Sequence, residues 1–415
     1  MSPRCEALPG GLRVVLVPCE AESVAVGLFV ASGSRHETAK TAGISHFIEH
    51  MLFKGTPTRK PIDITREIEG RGGNFNACTG EETTSYYVHL PSEYLAEALD
   101  ILSDMYLRAT IPDEEFVRER EVVIEEIRMY EDEPDSVAME NLQRALFPAS
   151  TLGAPVAGSP QSLKAMKPAD LRRYIRSHYL LSRTVLAIAG DFDDETALRL
   201  AGRAFCRGMS SRRRPVRTVA MPSPLAGRPV PRVTAERDIH EAQLALGYRT
   251  FGIGDSRKYA ASVMDAVLGR GMSSRLFQEV REKRGLSYDI GSRMQFFQDA
   301  GMFVVTAGLD PAKREKALAV IDSVLRKLVE KRVSAAELTH IKEFMIGNFR
   351  LSHERVTAKM FYYAQMLMTF GRLVEPAEQI EGIRAVTAAE LQAVAAAILQ
   401  PSARCVSWVL PRAAK

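Results

Sequence analysis

The stretch GISHFIEHML, residues 43–52, sets two histidines four positions apart with a glutamate directly before the second. On a helix, residues at i and i+4 stand one above the other, so His46 and His50 can aim ring nitrogens at a single point. Glu49 lies on the same face. It is poorly placed to ligate beside His50 but well placed to take a proton from a water held there. Ile44, Phe47, Ile48, Met51 and Leu52 supply the rest of the helix surface and read as its core-facing side. A buried helix whose polar stripe is His-Glu-His needs a partner for those groups, and a zinc ion satisfies them. With 8 histidines in 415 residues, chance would place an HxxEH somewhere in such a chain about once in a hundred.

A catalytic zinc takes three protein ligands and leaves a position for water. The acidic stretch 113–133 offers many carboxylates, and a projection at 3.6 residues per turn separates them. Phe116, Val123, Ile127 and Tyr130 form the expected apolar stripe, with Glu119 and Glu126 flanking it on one side. Glu125 falls on the opposite, solvated face, and Glu114, Glu121 and Glu131 read as wet surface. Glu126 is the best third ligand, with Glu119 two turns away on the same face.

The elements that position these residues occur twice. Each half of the chain opens with a strand (ESVAVGLFVAS; EAQLALGYRTF) and a helix ending in glycine (HFIEHMLFKG; SVMDAVLGRG). A second helix then leads into a glycine turn (REIEGRGGNF; QEVREKRGLS) and a strand pair. A helix following a proline (PSEYLAEALDILSDMYLR; DPAKREKALAVIDSVLRKL) and a helix with an acidic start complete each copy. The pattern implies an α+β fold: two homologous domains, each a mixed β-sheet packed with helices, related by internal duplication. Residues 1–206 form the metal-binding domain, 207–233 a Pro/Arg-rich linker, and 234–415 a domain without the metal site. Superposing the copies sets His46, Glu49 and His50 against Ser262, Asp265 and Ala266. Glu119 and Glu126 face Ile341 and Asn348 in the same way. The whole constellation is present in one copy and missing from the other, which points to function rather than packing.

Bulk properties narrow the class. Apolar residues make up 46% and charged residues 26%, with a net charge of +4, a globular composition with no nucleic-acid footprint. The run Arg212-Arg213-Arg214 reads as solvated linker. Five scattered cysteines without a CxxC spacing read as reduced thiols. No signal peptide is expected at the start and no apolar run reaches the length of a membrane span, so a cytoplasmic protein with no membrane partner is expected.

The inverted HxxEH, followed 76 residues after His50 by Glu126 in EREVVIEE, resembles the pitrilysin-type zinc peptidases, or inverzincins. Within that family, GISHFIEHMLFKGT and GGNFNACTGEETTSYY are similar to the mitochondrial processing peptidase β-subunit and its short bacterial relatives. The resemblance covers nearly the whole chain. It implies one Zn2+ per chain held by His46, His50 and Glu126, Glu49 as general base, and Glu119 assisting catalysis. It also implies that VREKRGLSY supplies a substrate-binding pair, Arg281 and Tyr288. LGRGMSSRL resembles the family's glycine loop, and a helix-capping turn is the other reading.

Substrate capture is expected to use backbone. The strand NFNACTGEETTSYYVHL follows Gly72-Gly73, and an exposed edge there would let Asn74, Phe75, Asn76 and Ala77 add an extended peptide as an extra strand. The alternative is an ordinary internal strand. Expected substrates are unfolded peptides or flexible segments. Longer family members carry four such domains, with zinc in the first and the Arg–Tyr pair in the last. The resemblance therefore implies a homodimer with composite sites, or a heterodimer with an inactive homologue. A silent scaffold subunit and a zinc hydrolase of another class are the rival readings.

Overall fold

A computed structural model describes residues 2–206 and 227–412 and has eleven strands among them, some with alternating burial and some buried throughout. Six of them, β1 (Arg4–Ala7), β2 (Arg13–Pro18), β3 (Ser23–Val30), β4 (Asn74–Thr79), β5 (Thr84–Pro91) and β6 (Thr184–Gly190), form one sheet in the order β1-β2-β6-β3-β5-β4. The remaining five, β7 (Arg232–Arg237), β8 (Ala242–Thr250), β9 (Ser287–Phe296), β10 (Gly301–Leu309) and β11 (Cys405–Pro411), form a second sheet ordered β7-β11-β8-β10-β9. Each sheet contains one parallel pair, β2 with β6 and β7 with β11, and is otherwise antiparallel. Removing β1 leaves two identical strand orders, so the duplication and the mixed sheets expected from the sequence are both present.

In the first sheet β3 and β6 are buried along nearly their whole length and read as continuous apolar runs. β4 is the opposite case. It pairs only with β5, and its residues alternate between exposed and half-buried, which makes it the sheet's edge. The stretch expected as one strand from Asn74 to Leu90 is a hairpin. Residues 80–83 turn the chain, and the Gly80 N–H donates to the Thr83 carbonyl at 2.8 Å.

The two compact units cross the halves expected at 1–206 and 234–415. Of the described residues, the first comprises 2–127, 155–206 and 351–374; the second comprises 128–154, 227–350 and 375–412. The outer face of the first sheet, with Val15, Val17, Ala25, Phe29, Val185, Ala187 and Ala189, is covered by Met360, Tyr363, Ala364 and Leu367. Those four come from the late helix Val356–Phe370. In the second unit, Ala245, Met302, Val304, Cys405 and Val409 are covered by Val137, Ala138, Leu142 and Leu146, from the early helix Pro134–Leu146. A sheet with two apolar faces must be covered on both, and each half lends one helix for the purpose. Periodicity cannot reveal that exchange, because it reports that a face is apolar and not which sheet it meets.

Of the expected linker, residues 207–226, including the arginine run, lie outside the described residues. At its far end Arg232 and Val233 already belong to β7, and the Val230 N–H donates to the Ala145 carbonyl at 2.9 Å.

Candidate metal centre and active site

The helix Ile44–Leu52 carries the HxxEH stripe, and its apolar residues Ile44, Phe47, Ile48, Met51 and Leu52 are all at most 1% exposed. Each such burial contributes on the order of 2 kcal/mol, enough to hold a nine-residue helix too short to be stable alone. Its N-cap, Gly43, has φ of 90° and no side chain to offer. A Cβ there would meet the Ala157 carbonyl oxygen at 2.4 Å, so the position excludes ordinary caps. The missing cap comes from Glu37, whose carboxylate accepts from the Gly43 N–H at 2.7 Å and the Ser45 N–H at 2.8 Å. Burial pushes the Glu37 carboxyl up to about 7, against the pull of those two N–H groups.

The helix Asp113–Asp132 packs against this one through Phe116, whose ring centroid lies 4.9 Å from that of Phe47. Its buried stripe is Phe116, Val123, Ile124 and Ile127. Tyr130, expected in the stripe, is 40% exposed, because the first compact unit ends at Ile127. Glu119 sits inside the stripe, Glu126 is half-buried, and Glu125, Glu114, Glu121 and Glu131 are exposed. The projection thus sorted the carboxylates correctly by burial.

His46, His50 and Glu126 each turn one ligand atom into a common space, all within 4.8 Å of one another. His50 Nε2 lies 3.3 Å and His46 Nε2 lies 3.8 Å from Glu126 Oε2. Zinc bonded at ordinary lengths separates tetrahedral ligand atoms by about 3.3 Å, so the set fits the ion with small adjustments. Burial, and secondarily the neighbouring His50, lowers the His46 pKa to about 4, leaving it neutral as a ligand must be. Burial also opposes charge on His50, but hydrogen bonds to Glu119 and Glu126 outweigh it and raise its pKa to about 9. Glu119 Oε1 lies 2.9 Å from His50 Nδ1, and its other oxygen pairs with Lys54 Nζ at 2.6 Å. That carboxylate orients the His50 ring so that Nε2 points toward Glu126 and His46. His46 Nδ1 is buried and has no hydrogen-bond partner among the described residues. Glu49 accepts a hydrogen bond from the Thr79 hydroxyl. Burial raises its pKa, with Thr79 and His50 acting in the opposite direction.

On β4, Asn74 and Asn76 are exposed, while Phe75 and Ala77 are half-buried against the core, Phe75 at 5.4 Å from the Phe53 ring. Arg281 and Tyr288 belong to the second unit. The Arg281 guanidinium rests 5.1 Å from the Tyr288 ring and 4.7 Å from that of Phe277, and Tyr288 is 79% exposed. In the LGRGMSSRL stretch, Gly271 takes a φ of 80° just beyond the helix Lys258–Gly269. Three residues were not anticipated from sequence: Glu37, Lys54 and Thr79. Glu37 left one signal, an acidic residue just upstream of a helix whose N-cap is a glycine. Lys54 and Thr79 left none, since their partners are 65 and 30 residues away.

Two homologous α+β units are present, and among the described residues the two-histidine, one-glutamate cluster belongs to the first of them. The sequence matches the family "Insulinase (Peptidase family M16)" over residues 13–159 and "Peptidase M16 inactive domain" over residues 165–345. An uncharacterized zinc protease of Mycobacterium tuberculosis is 36% identical over 401 residues, 96% of this chain and 91% of the relative. A second, of Bacillus subtilis, is 34% identical over 351 residues, 84% of each. The crystal structure of a protease from Helicobacter pylori superposes with a TM-score of 0.91 at 22% identity, covering 99% of both chains, a likeness of fold. This chain belongs to peptidase family M16.

Proposed function

We propose that the chain is a zinc-dependent endopeptidase acting on unfolded peptides or flexible segments, with one zinc held by His46, His50 and Glu126. The observation that carries this reading is the convergence of the three ligand atoms beside a glutamate on the same helix. The names of the zinc-protease relatives support it. When bound, zinc supplies a Lewis acid that acidifies a water and polarises the scissile carbonyl. Glu49 takes the proton of the attacking water and delivers it to the leaving amine, and a carboxyl made more basic by burial suits that task. Glu119, held by Lys54, keeps His50 oriented. The exposed edge of β4 at Asn74, Phe75, Asn76 and Ala77 receives the substrate backbone as an added strand, which selects extended chains over folded ones. Arg281 and Tyr288 contact the substrate, the hydroxyl of Tyr288 facing the developing oxyanion.

Metal analysis together with cleavage of a mixed-peptide pool by wild type and Glu49→Gln tests the assignment. The wild type should hold zinc and cut, and Glu49→Gln should hold zinc and fail to cut. A wild type without zinc, or an equally active Glu49→Gln, overturns it.

The same reading assigns a cytoplasmic location, in keeping with five free cysteines. Among the described residues no helix is long and apolar enough to cross a membrane. It also assigns a homodimer in which Arg281 and Tyr288 serve the partner's zinc; a heterodimer with an inactive homologue is the variant of that arrangement. Mixing Glu49→Gln with Tyr288→Phe protein, after subunit exchange, should restore one complete site per mixed dimer. Confirmed exchange without recovered activity rules out action in trans.

A further inference from the structure

Thr79 is the last residue of the edge strand β4, and its hydroxyl donates to Oε2 of Glu49 on the HxxEH helix. The strand end is itself well anchored. The turn that follows accepts the Ser34 N–H at Gly80 (3.2 Å) and the Arg35 N–H at Glu81 (2.8 Å), and Arg35 pairs with Glu82. Glu49, by contrast, is a long side chain with three rotatable bonds, and no lysine or arginine pairs with it among the described residues. Left alone, its carboxylate would sample several rotamers and present an oxygen to the attacking water only part of the time. The Thr79 hydroxyl, with the backbone N–H of the same residue beside it, selects one of them from a rigid strand.

We propose that Thr79 is a positioning residue for the general base, tying the Glu49 carboxylate to the strand that receives the substrate backbone. The base and the docked peptide then share one reference frame, so a displacement of β4 moves both together. This rests on the peptidase reading above.

The second unit supplies the contrasting arrangement. There Ser292, on the edge strand β9, donates to Asp265 at 2.6 Å, and Asp265 occupies the position of Glu49. Arg270 Nε takes the other oxygen at 2.6 Å, so that carboxylate is fully engaged and the hydroxyl serves packing. Among the described residues no lysine or arginine pairs with the Glu49 carboxylate, and the hydroxyl is left to orient a group that can still act on a proton.

The test compares wild type, Thr79→Val, Thr79→Ser and Glu49→Gln by peptide kinetics, zinc content and thermal unfolding. Thr79→Val keeps the shape of the side chain and removes the hydroxyl. It should lower kcat by about ten- to a hundredfold, leaving KM, zinc content and unfolding midpoint near wild type. Thr79→Ser, which restores the hydroxyl, should recover kcat to within about threefold. Wild-type kcat in Thr79→Val, equal losses in Val and Ser, or a loss that tracks zinc content or unfolding would overturn the positioning role while leaving the peptidase reading intact. A wild type that cuts no peptide, or a Glu49→Gln as active as wild type, removes both.

Discussion

The helix Ile44–Leu52 of the first unit and the helix Lys258–Gly269 of the second occupy corresponding places beside corresponding sheets. Their polar residues are treated differently. In the second, Asp265 is completely buried, and Arg270 and Ser292 satisfy it. In the first, two imidazoles and a carboxylate turn ligand atoms toward one another within 4.8 Å, a spacing that a cation would fit. The fold can evidently close this position with its own side chains, since one copy does. The other copy instead gathers two imidazoles and a carboxylate at one point, an arrangement suited to a bound cation.

The largest expected break in this comparison is at the third ligand. Glu126→Gln should weaken zinc binding by at least about a hundredfold, since it removes the charged ligand, whereas the exposed neighbour Glu125→Gln should bind like wild type. Zinc retained after dialysis against a graded chelator series distinguishes them, and equal losses would undo the ligand assignment.

Next in size is a reversal of roles. Asp265→Asn should lower stability by about 2 kcal/mol, because it leaves Arg270 facing an amide where a carboxylate stood. Glu49→Gln should leave the unfolding midpoint of the metal-free protein unchanged or slightly raised. Its carboxyl has a raised pKa in the fold, so ionising it costs stability as pH rises above the ordinary carboxylate value, and the amide removes that cost. Denaturant unfolding of the two variants at pH 7.5 checks the pair, and a large destabilisation by Glu49→Gln would make the two helices alike after all.

A pH dependence sharpens the contrast further. In the metal-free protein, Glu119 and Glu126 overcome the effect of burial and hold the proton on His50 up to about pH 9. Zinc must displace that proton. Affinity should therefore fall about tenfold for each pH unit below about 9, and binding near neutrality should release about one proton. Calorimetry in buffers of different ionisation enthalpy measures the release. The smallest effect belongs to Lys54→Met, which leaves Glu119 without its cation but keeps its bond to His50. A loss of zinc affinity of about three- to tenfold is expected, with Lys54→Arg close to wild type.

What could be read from the sequence follows the range of the interactions involved. The HxxEH stripe and the burial of Glu126 over Glu125 are local properties of single helices, and periodicity fixes them. Duplication revealed the mixed sheets, because two diverged copies that keep the same strand and helix order constrain each other. Thr79 and Lys54 act across tens of residues, and nothing in their immediate neighbours marks them, whereas the Glu37 cap reaches only six to eight residues and left a local trace in the glycine N-cap that follows it. Tyr130 was misplaced for a related reason, since the helical period continues past Ile127 while the core it faced does not.

The exchanged helices have a consequence for how the chain is made. When β6 leaves the ribosome, the outer face of the first sheet has all its strands but not its cover, which lies about 170 residues further on in Val356–Phe370. At ordinary rates of synthesis that is roughly 10–30 s in which Val15, Val17, Phe29 and Val185 line an open apolar surface on a nascent chain. The interval is long enough for a chaperone to bind, and it means that the first unit, although the first to be translated, cannot be completed until most of the second has also been made.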